Sequence, residues 1–275
     1  MDLYTKTSYA ASKLLTLKYS TSFSSSTSLF RKDTARHIYA IYGLVRIADE
    51  IVDTYKSDDA ETLLDDLENE VSAATKRHYS TNPIVHAYIT TALEFDIDPA
   101  LLEAFFASMR LDLSPQTYTK KLYQTYIYGS AEVVGLMCLT VFVGGDKTLY
   151  KKLSSGARAL GAAYQKVNFL RDLASDHADL DRLYFPGYTY DSFDEAAKQA
   201  VIMDTEKDIA LARTVIPLLP TDAKRAVSLS LAYYHTLLRK LQRTRVEQIK
   251  SRRVRVNNAH KWLLYVGIRM GVIGS

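Results

Sequence analysis

One cysteine, six prolines and eleven glycines are all that 275 residues hold of the types that staple or break a chain. The single cysteine, Cys138, excludes an intramolecular disulfide and fits a reducing compartment. With so few turn formers the chain reads as long uninterrupted elements, which disfavours a many-stranded β fold and favours helices. Long apolar runs are also missing. The longest, Val133 to Val143 and Trp262 to Ile273, fall short of the roughly 20 residues that span a bilayer, so both read as buried core helices. Met1 to Ala10 is polar and lacks the apolar region of a signal peptide. HExxH and Glu-x-x-His motifs are absent, and Gly144-Gly145-Asp146-Lys147-Thr148 lacks the spacing of a phosphate loop. Zincin, ferritin-like di-iron and P-loop chemistry are thereby disfavoured.

What is present is an ordinary globular balance, 47% apolar and 24% charged, enough to bury a core. Tyrosine is abundant, at 20 residues. The net charge of +4 is uneven: residues 239–261 carry nine Lys/Arg against one Glu, which leaves the remainder net negative. Apolar residues recur at helical spacing, as in Ile38, Ile41, Tyr42, Val45, Ala48 and Val52. No proline interrupts Asp146 to Asp179, and Gly144-Gly145 and Pro186-Gly187 bracket that stretch, so one very long helix is expected there. Asp98-Pro99 signals a capped start, Ser192 with Glu195 fits a capping box, Pro217 closes one helix and Thr221 opens the next. The run of Ser and Thr from Ser20 to Ser28 favours side-chain bonding to the backbone and reads as a loop. No repeat or linker divides the chain. A single all-α domain over residues 1–275 is expected.

Two carboxylate clusters carry the chemistry. In RIADEIVD, Asp49 and Asp53 stand four apart and share a helix face. In QKVNFLRDLASD, Asn168, Asp172 and Asp176 follow at i, i+4 and i+8, with Gln165 just before them. Like charges at this spacing destabilise a helix slightly, and on a solvated face they mean nothing more. Here both clusters are set among apolar residues, and Arg46 and Arg171 stand beside them. Rows of carboxylate and amide oxygens suit Mg²⁺, and arginines supply paired donors to phosphate. Two such helices facing each other would cage a diphosphate and assist its departure.

Several segments in order resemble the squalene/phytoene synthase family: YSTSFSSS at Tyr19 to Ser26, AIYGLVRIADEIVD at Ala40 to Asp53, YIYGSAEVVG at Tyr126 to Gly135, and QKVNFLRDLASDHADLDRLYFP at Gln165 to Pro186. RRVRV at Arg252 to Val256 is a weaker match. The resemblance implies an all-α, single-domain helical bundle of the type I isoprenoid synthase kind with a central cavity. It assigns Mg²⁺ positions to Asp49, Asp53, Asn168, Asp172 and Asp176, with Mn²⁺ as an alternative ion. It assigns substrate contacts to Ser20, Ser22, Phe23, Tyr42, Arg46, Tyr128, Gln165, Asn168, Arg171 and Tyr234, with Tyr42 and Tyr128 as catalytic pocket tyrosines beside the four aspartates. Tyr39 and Tyr126 lie near the same motifs. Glu132 departs from the family pattern, in which glycine is frequent; it is either a local charge partner or part of the channel.

The implied reaction joins two prenyl diphosphates head to head through a cyclopropylcarbinyl diphosphate, with aromatic faces steadying cations. The small residues Ser24 to Ser28, if they line the tail pocket, favour two geranylgeranyl diphosphates and phytoene, without NADPH. The alternative is squalene or dehydrosqualene from two farnesyl diphosphates. A non-catalytic helical scaffold would show no effect of Asp49→Ala or Asp172→Ala. Nucleic-acid binding is not expected, since no known module is present. The expected setting is cytoplasmic, with the basic C-terminal segment either a solvated face, a cover for the diphosphate site or a contact with the inner membrane surface.

Overall fold

The computed structural model describes residues 1–55, 57–114, 116–180 and 182–271. No strand occurs among them. The helices are α1 (Leu3–Tyr19), α2 (Thr21–Thr27), α3 (Lys32–Asp53), α4 (Ala60–Arg77), α5 (Pro83–Phe95), α6 (Pro99–Leu111), α7 (Lys120–Ile127), α8 (Val133–Phe142), α9 (Lys147–Leu180), α10 (Glu195–Val215), α11 (Thr221–Arg243), α12 (Val246–Ser251) and α13 (Asn258–Arg269). A π turn, Tyr128–Glu132, joins α7 to α8, and a 3₁₀ turn containing Pro217, Ile216–Leu218, follows α10.

Local chemistry explains most boundaries. The Asn82 side chain accepts from the Ile84 and Val85 amides, and Asp98 accepts from Ala100, each just before a first-turn proline. His78 and Asp96 adopt left-handed backbone and end α4 and α5. The long helix expected between the two glycine-containing breakers is α9, 34 residues. At α10 the cap is Asp194, which accepts from the Ala197 amide; Ser192 instead bonds Thr189 in the preceding turn. The capping box at Ser192 is therefore corrected: a carboxylate one residue before the helix captured the free amide.

The hydroxyl-rich segment is also corrected. It forms α2, capped by Ser20, whose Oγ accepts from the Phe23 amide. Its hydroxyls bond backward along their own helix, Ser26 Oγ to Phe23 O at 2.9 Å and Thr27 Oγ1 to Phe23 O at 2.8 Å. Back-bonding of this kind satisfies the side chains without breaking the turn. A third difference is that α7, the π turn and α8 run on without a break. Lys120–Phe142 becomes 23 residues, long and apolar enough to cross a membrane by length and composition, with half of its most apolar window buried inside the fold. Val133, Met137 and Leu139 are core residues.

Two apolar clusters flank the centre. One gathers Ile41, Leu44, Phe105, Phe106 and Met137 from α3, α6 and α8. The other gathers Val167, Leu170, Phe193, Leu238 and Ile249 from α9 to α12. Between α8 and α9 the backbones nearly touch: a methyl group on Gly161 would lie 2.5 Å from the Ala131 carbonyl, and one on Gly135 would lie 2.7 Å from that of Ala157. Only glycine permits this approach. It fixes α9 along α8 so that its remaining face is free to line a cavity.

Candidate active site

A cavity of about 550 Å³ lies between the two clusters. Along α9 its wall runs from Leu153, Ala157 and Leu160 to Gln165, Asn168, Asp172 and Asp176, apolar at one end and ionic at the other. Along α3 the wall runs the same way, from Ile38 through Tyr42 and Arg46 to Asp49 and Asp53. The two carboxylate clusters thus meet at one end, as the spacing predicts.

The ionic end is dense with charge. Arg171 grips Asp172 with two donors, at 2.9 and 2.5 Å. Arg253, from the segment after α12, reaches the same carboxylate at 2.7 Å. Arg46 pairs with Glu50 and stands 3.8 Å from Asp49. Arg182 donates to Asp53 at 2.9 Å and to the Asp112 carbonyl at 2.5 Å, crossing from the end of α9 to α3 and α6. Asp112 is 7% exposed and accepts from the Tyr126 hydroxyl at 2.6 Å. Tyr184 stacks on Phe169 behind this pair, with centroids 4.0 Å apart.

Electrostatics reports a surplus of negative charge. Burial pushes the Asp49 carboxyl up to about 7, with Arg46 opposing and Asp53, Asp112 and Glu50 adding to it. Burial pushes Asp176 up to about 8, with Asp172 and Asp53 adding to it. Asp112 rises to about 6 for the same first reason, against the pull of Arg182. Carboxylates held this way keep a proton, gain a cation, or lean on arginine. Among the described residues no three acidic, His or Cys side chains are gathered tightly enough to form a metal cage. Instead Asp53 and Asp172 are each held by arginine. Asn168 Oδ1 is buried with no hydrogen-bond partner, an acceptor left for something else.

Not every residue singled out in the sequence faces the cavity. Phe23 does, stacked on Tyr42 with centroids 4.6 Å apart, and burial pushes the Tyr42 hydroxyl up to about 12. Gln165, Arg46 and Arg171 also line it. Ser20 caps α2 and its side chain also bonds the Tyr42 hydroxyl at the wall; Ser22 is absent from the wall, where Ser26 and Thr27 stand. Tyr128 turns away: Arg158 lies over its ring at 5.3 Å, and Arg158 in turn pairs with Glu132 at 2.6 Å. The π turn causes this, because its wider register presents Tyr126, Ser130 and Ala131 to the cavity and sends Tyr128 and Glu132 elsewhere. Glu132 is therefore a local charge partner. Tyr234 stacks on Tyr164 at 3.8 Å, and its hydroxyl is close enough to act electrostatically on Tyr42 and Arg171 of the wall. Tyr39 is buried off the cavity.

Asp112, Arg182 and Tyr184 were not singled out. Arg182 and Tyr184 sit in the quoted RLYFP segment, but Asp112 follows α6 with no spaced acidic partner to mark it. From RRVRV, Arg253 lines the cavity and pairs with Asp172.

The squalene/phytoene synthase profile matches residues 16–260. The chain belongs to the squalene/phytoene synthase family. A family relative, a phytoene synthase of Arthrospira platensis, is 32% identical over 192 residues, 65% of this chain and 61% of that protein. The chloroplastic phytoene synthase 1 of Zea mays is 33% identical over 175 residues, 62% of this chain and 42% of that one. This chain thus spans less than two thirds of either. A 4,4'-diapophytoene synthase of Staphylococcus haemolyticus is 25% identical over 195 residues, 69% of this chain and 66% of that one. Among solved structures, a dehydrosqualene synthase in complex with ligand superposes with a TM-score of 0.81 at 21% identity, covering 98% of this chain and 97% of the other. A squalene synthase from Alicyclobacillus acidocaldarius gives 0.77 at 19% identity, over 92% and 98%. The fold is that of the all-α isoprenoid synthases.

Proposed function

We propose that this family member is a prenyltransferase that condenses two geranylgeranyl diphosphates head to head into phytoene, releasing two diphosphates. The supporting observation is the cavity whose ionic end meets an apolar end along the same two helices. A prenyl diphosphate has that same polarity along its length. Arg46, Arg171 and Arg253 are positioned to bind a diphosphate and stabilise it as it departs. Phe23, Tyr42, Tyr164 and Phe169 line the wall between the ends, where an allylic cation needs π faces and no nucleophile. The double bond of the second substrate attacks that cation, and loss of a proton from the joined carbons closes the ring of a cyclopropylcarbinyl diphosphate. A second ionisation, rearrangement and proton loss complete the product without a reductant.

The ionic end has donors suited to a hard divalent cation, although among the described residues they are not gathered about one point. Its donors are carboxylate and amide oxygens, the burial-raised Asp49 and Asp176 ask for positive charge, and Asn168 Oδ1 is an unused acceptor. Asp49, Asp53, Asn168, Asp172 and Asp176 would hold Mg²⁺ or Mn²⁺, freeing Arg171 and Arg253 for substrate. Such ions, when bound, neutralise the charge on a leaving diphosphate.

Ser26 and Thr27 on the wall support the longer substrate, since small side chains leave room for a tail. A second reading, farnesyl diphosphate to dehydrosqualene or squalene, is favoured by Phe30 and Phe142, stacked 5.1 Å apart at the apolar end. Incubation with each diphosphate and Mg²⁺, with and without NADPH, separates the two. A C40 hydrocarbon formed without NADPH is expected. A C30 product alone would overturn the chain-length assignment.

A further inference from the structure

Helix α13 carries two apolar stripes, and among the described residues only one packs against another helix. Leu264, Tyr265 and Ile268 face inward and pack on Leu229 and Tyr233 of α11. On the opposite side Trp262, Leu263 and Met270 are 62%, 59% and 68% exposed, in line with Ala259 and Val266 at helical spacing. Residues 252–271 contain five Lys/Arg and no acidic residue. Arg252, Arg255 and Arg269 are exposed around the stripe. Beside it lies a recess of about 350 Å³ lined by Thr21, Ser25, Ser28, Tyr233, Lys261 and Tyr265, with Lys261 Nζ donating to Thr21 Oγ1 at 3.2 Å.

We propose that α13 and the arginine segment before it form a docking face for an anionic phospholipid bilayer, with Trp262 and Leu263 entering the interface. An amphipathic helix with cations flanking an aromatic and aliphatic stripe binds such a surface by apolar burial plus attraction to acidic headgroups. A second copy of this chain fits less well, because an isologous contact would press two faces of net positive charge together. The recess supplies hydroxyls and an ammonium where a headgroup phosphate would rest. Arg253 belongs to the same segment and touches Asp172, so docking would set the ionic end of the cavity beside the bilayer. This inference stands on the surface itself and does not depend on the reaction proposed above.

Trp262 is the only tryptophan, so its emission reports this face alone. With the full chain at low salt, vesicles of phosphatidylcholine containing phosphatidylglycerol should shift that emission to the blue, and brominated phospholipid should quench it. Pure phosphatidylcholine vesicles, inorganic phosphate or high salt should leave it near its starting position. In vesicle sedimentation, Trp262→Ser with Leu263→Ser and, separately, Arg252→Glu with Arg255→Glu should each lower binding about tenfold or more, with unchanged helical circular dichroism. Absence of the shift and quenching with anionic vesicles would overturn the proposal. So would an equal shift with inorganic phosphate, a shift that tracks dimer formation without lipid, or full binding by both variants.

Discussion

At one end of the cavity Asp49, Asp53, Asp112, Asp172 and Asp176 face Arg46, Arg171, Arg182 and Arg253. At the other, Phe30, Leu139, Phe142, Leu153 and Leu219 present hydrocarbon. The same two helices, α3 and α9, run toward the first from the second, so one pair of scaffolds serves opposite solvents. The apolar end is stabilised by its own packing, as any core is. The ionic end is not: desolvation pushes the Asp49 and Asp176 carboxyls up, and arginines hold Asp53 and Asp172. In the proposed reaction the end that costs stability does the chemistry, and the well-packed end sets how much hydrocarbon fits.

The largest effect should come from cutting the ionic end's internal tie. Arg182→Ala leaves Asp112 buried without its cation and releases Asp53, and should cost about 3–5 kcal/mol in denaturant unfolding. Next in size, Asp172→Ala should lower diphosphate release about 10²–10³-fold with circular dichroism unchanged, because it acts on the reacting charge and not on packing. At the apolar end, Ala157→Phe should fill tail space: use of geranylgeranyl diphosphate should fall, while farnesyl diphosphate still turns over, as read by product chromatography.

The smallest effect has the opposite sign. The folded-state carboxyl of Asp176 sits near 8, far above its ordinary 3.8, so the folded state prefers the proton. Its cost is absent below about pH 4 and grows as pH rises to about 8. Asp176→Asn should therefore raise the metal-free melting temperature by about 2–4 °C at pH 8, with the gain fading toward pH 4. A melting series in chelator checks it. A lowered melting temperature at pH 8 would mean that the ionic end is not under strain.

The sequence made the α9 row legible because helix periodicity is local: Asn168, Asp172 and Asp176 need only 3.6 residues per turn to align. The same is true of Asp49 and Asp53. Asp112 was invisible because its role arises where α6 ends against α3 and Arg182, a contact between residues 70 apart. Tyr128 was placed in the pocket by family resemblance, whereas the π turn that carries it sets Tyr126, Ser130 and Ala131 on the cavity wall. The segment Trp262 to Ile273 read as buried core, yet Trp262 and Leu263 lie outside, since an apolar stripe does not say which partner it awaits. The hydroxyl run read as a loop because composition predicts competition with the backbone but not that the hydroxyls would bond backward within a helix.

If charge at one end and room at the other are separable parts of one cavity, one assay shows it: both geranylgeranyl and farnesyl diphosphate are supplied to the native chain and to Ala157→Phe, with Mg²⁺, and diphosphate release is measured together with product carbon number. The native chain should form C40 hydrocarbon, and the variant should keep releasing diphosphate while its product shifts toward C30. Equal loss of both products, or an unchanged ratio between them, would contradict it.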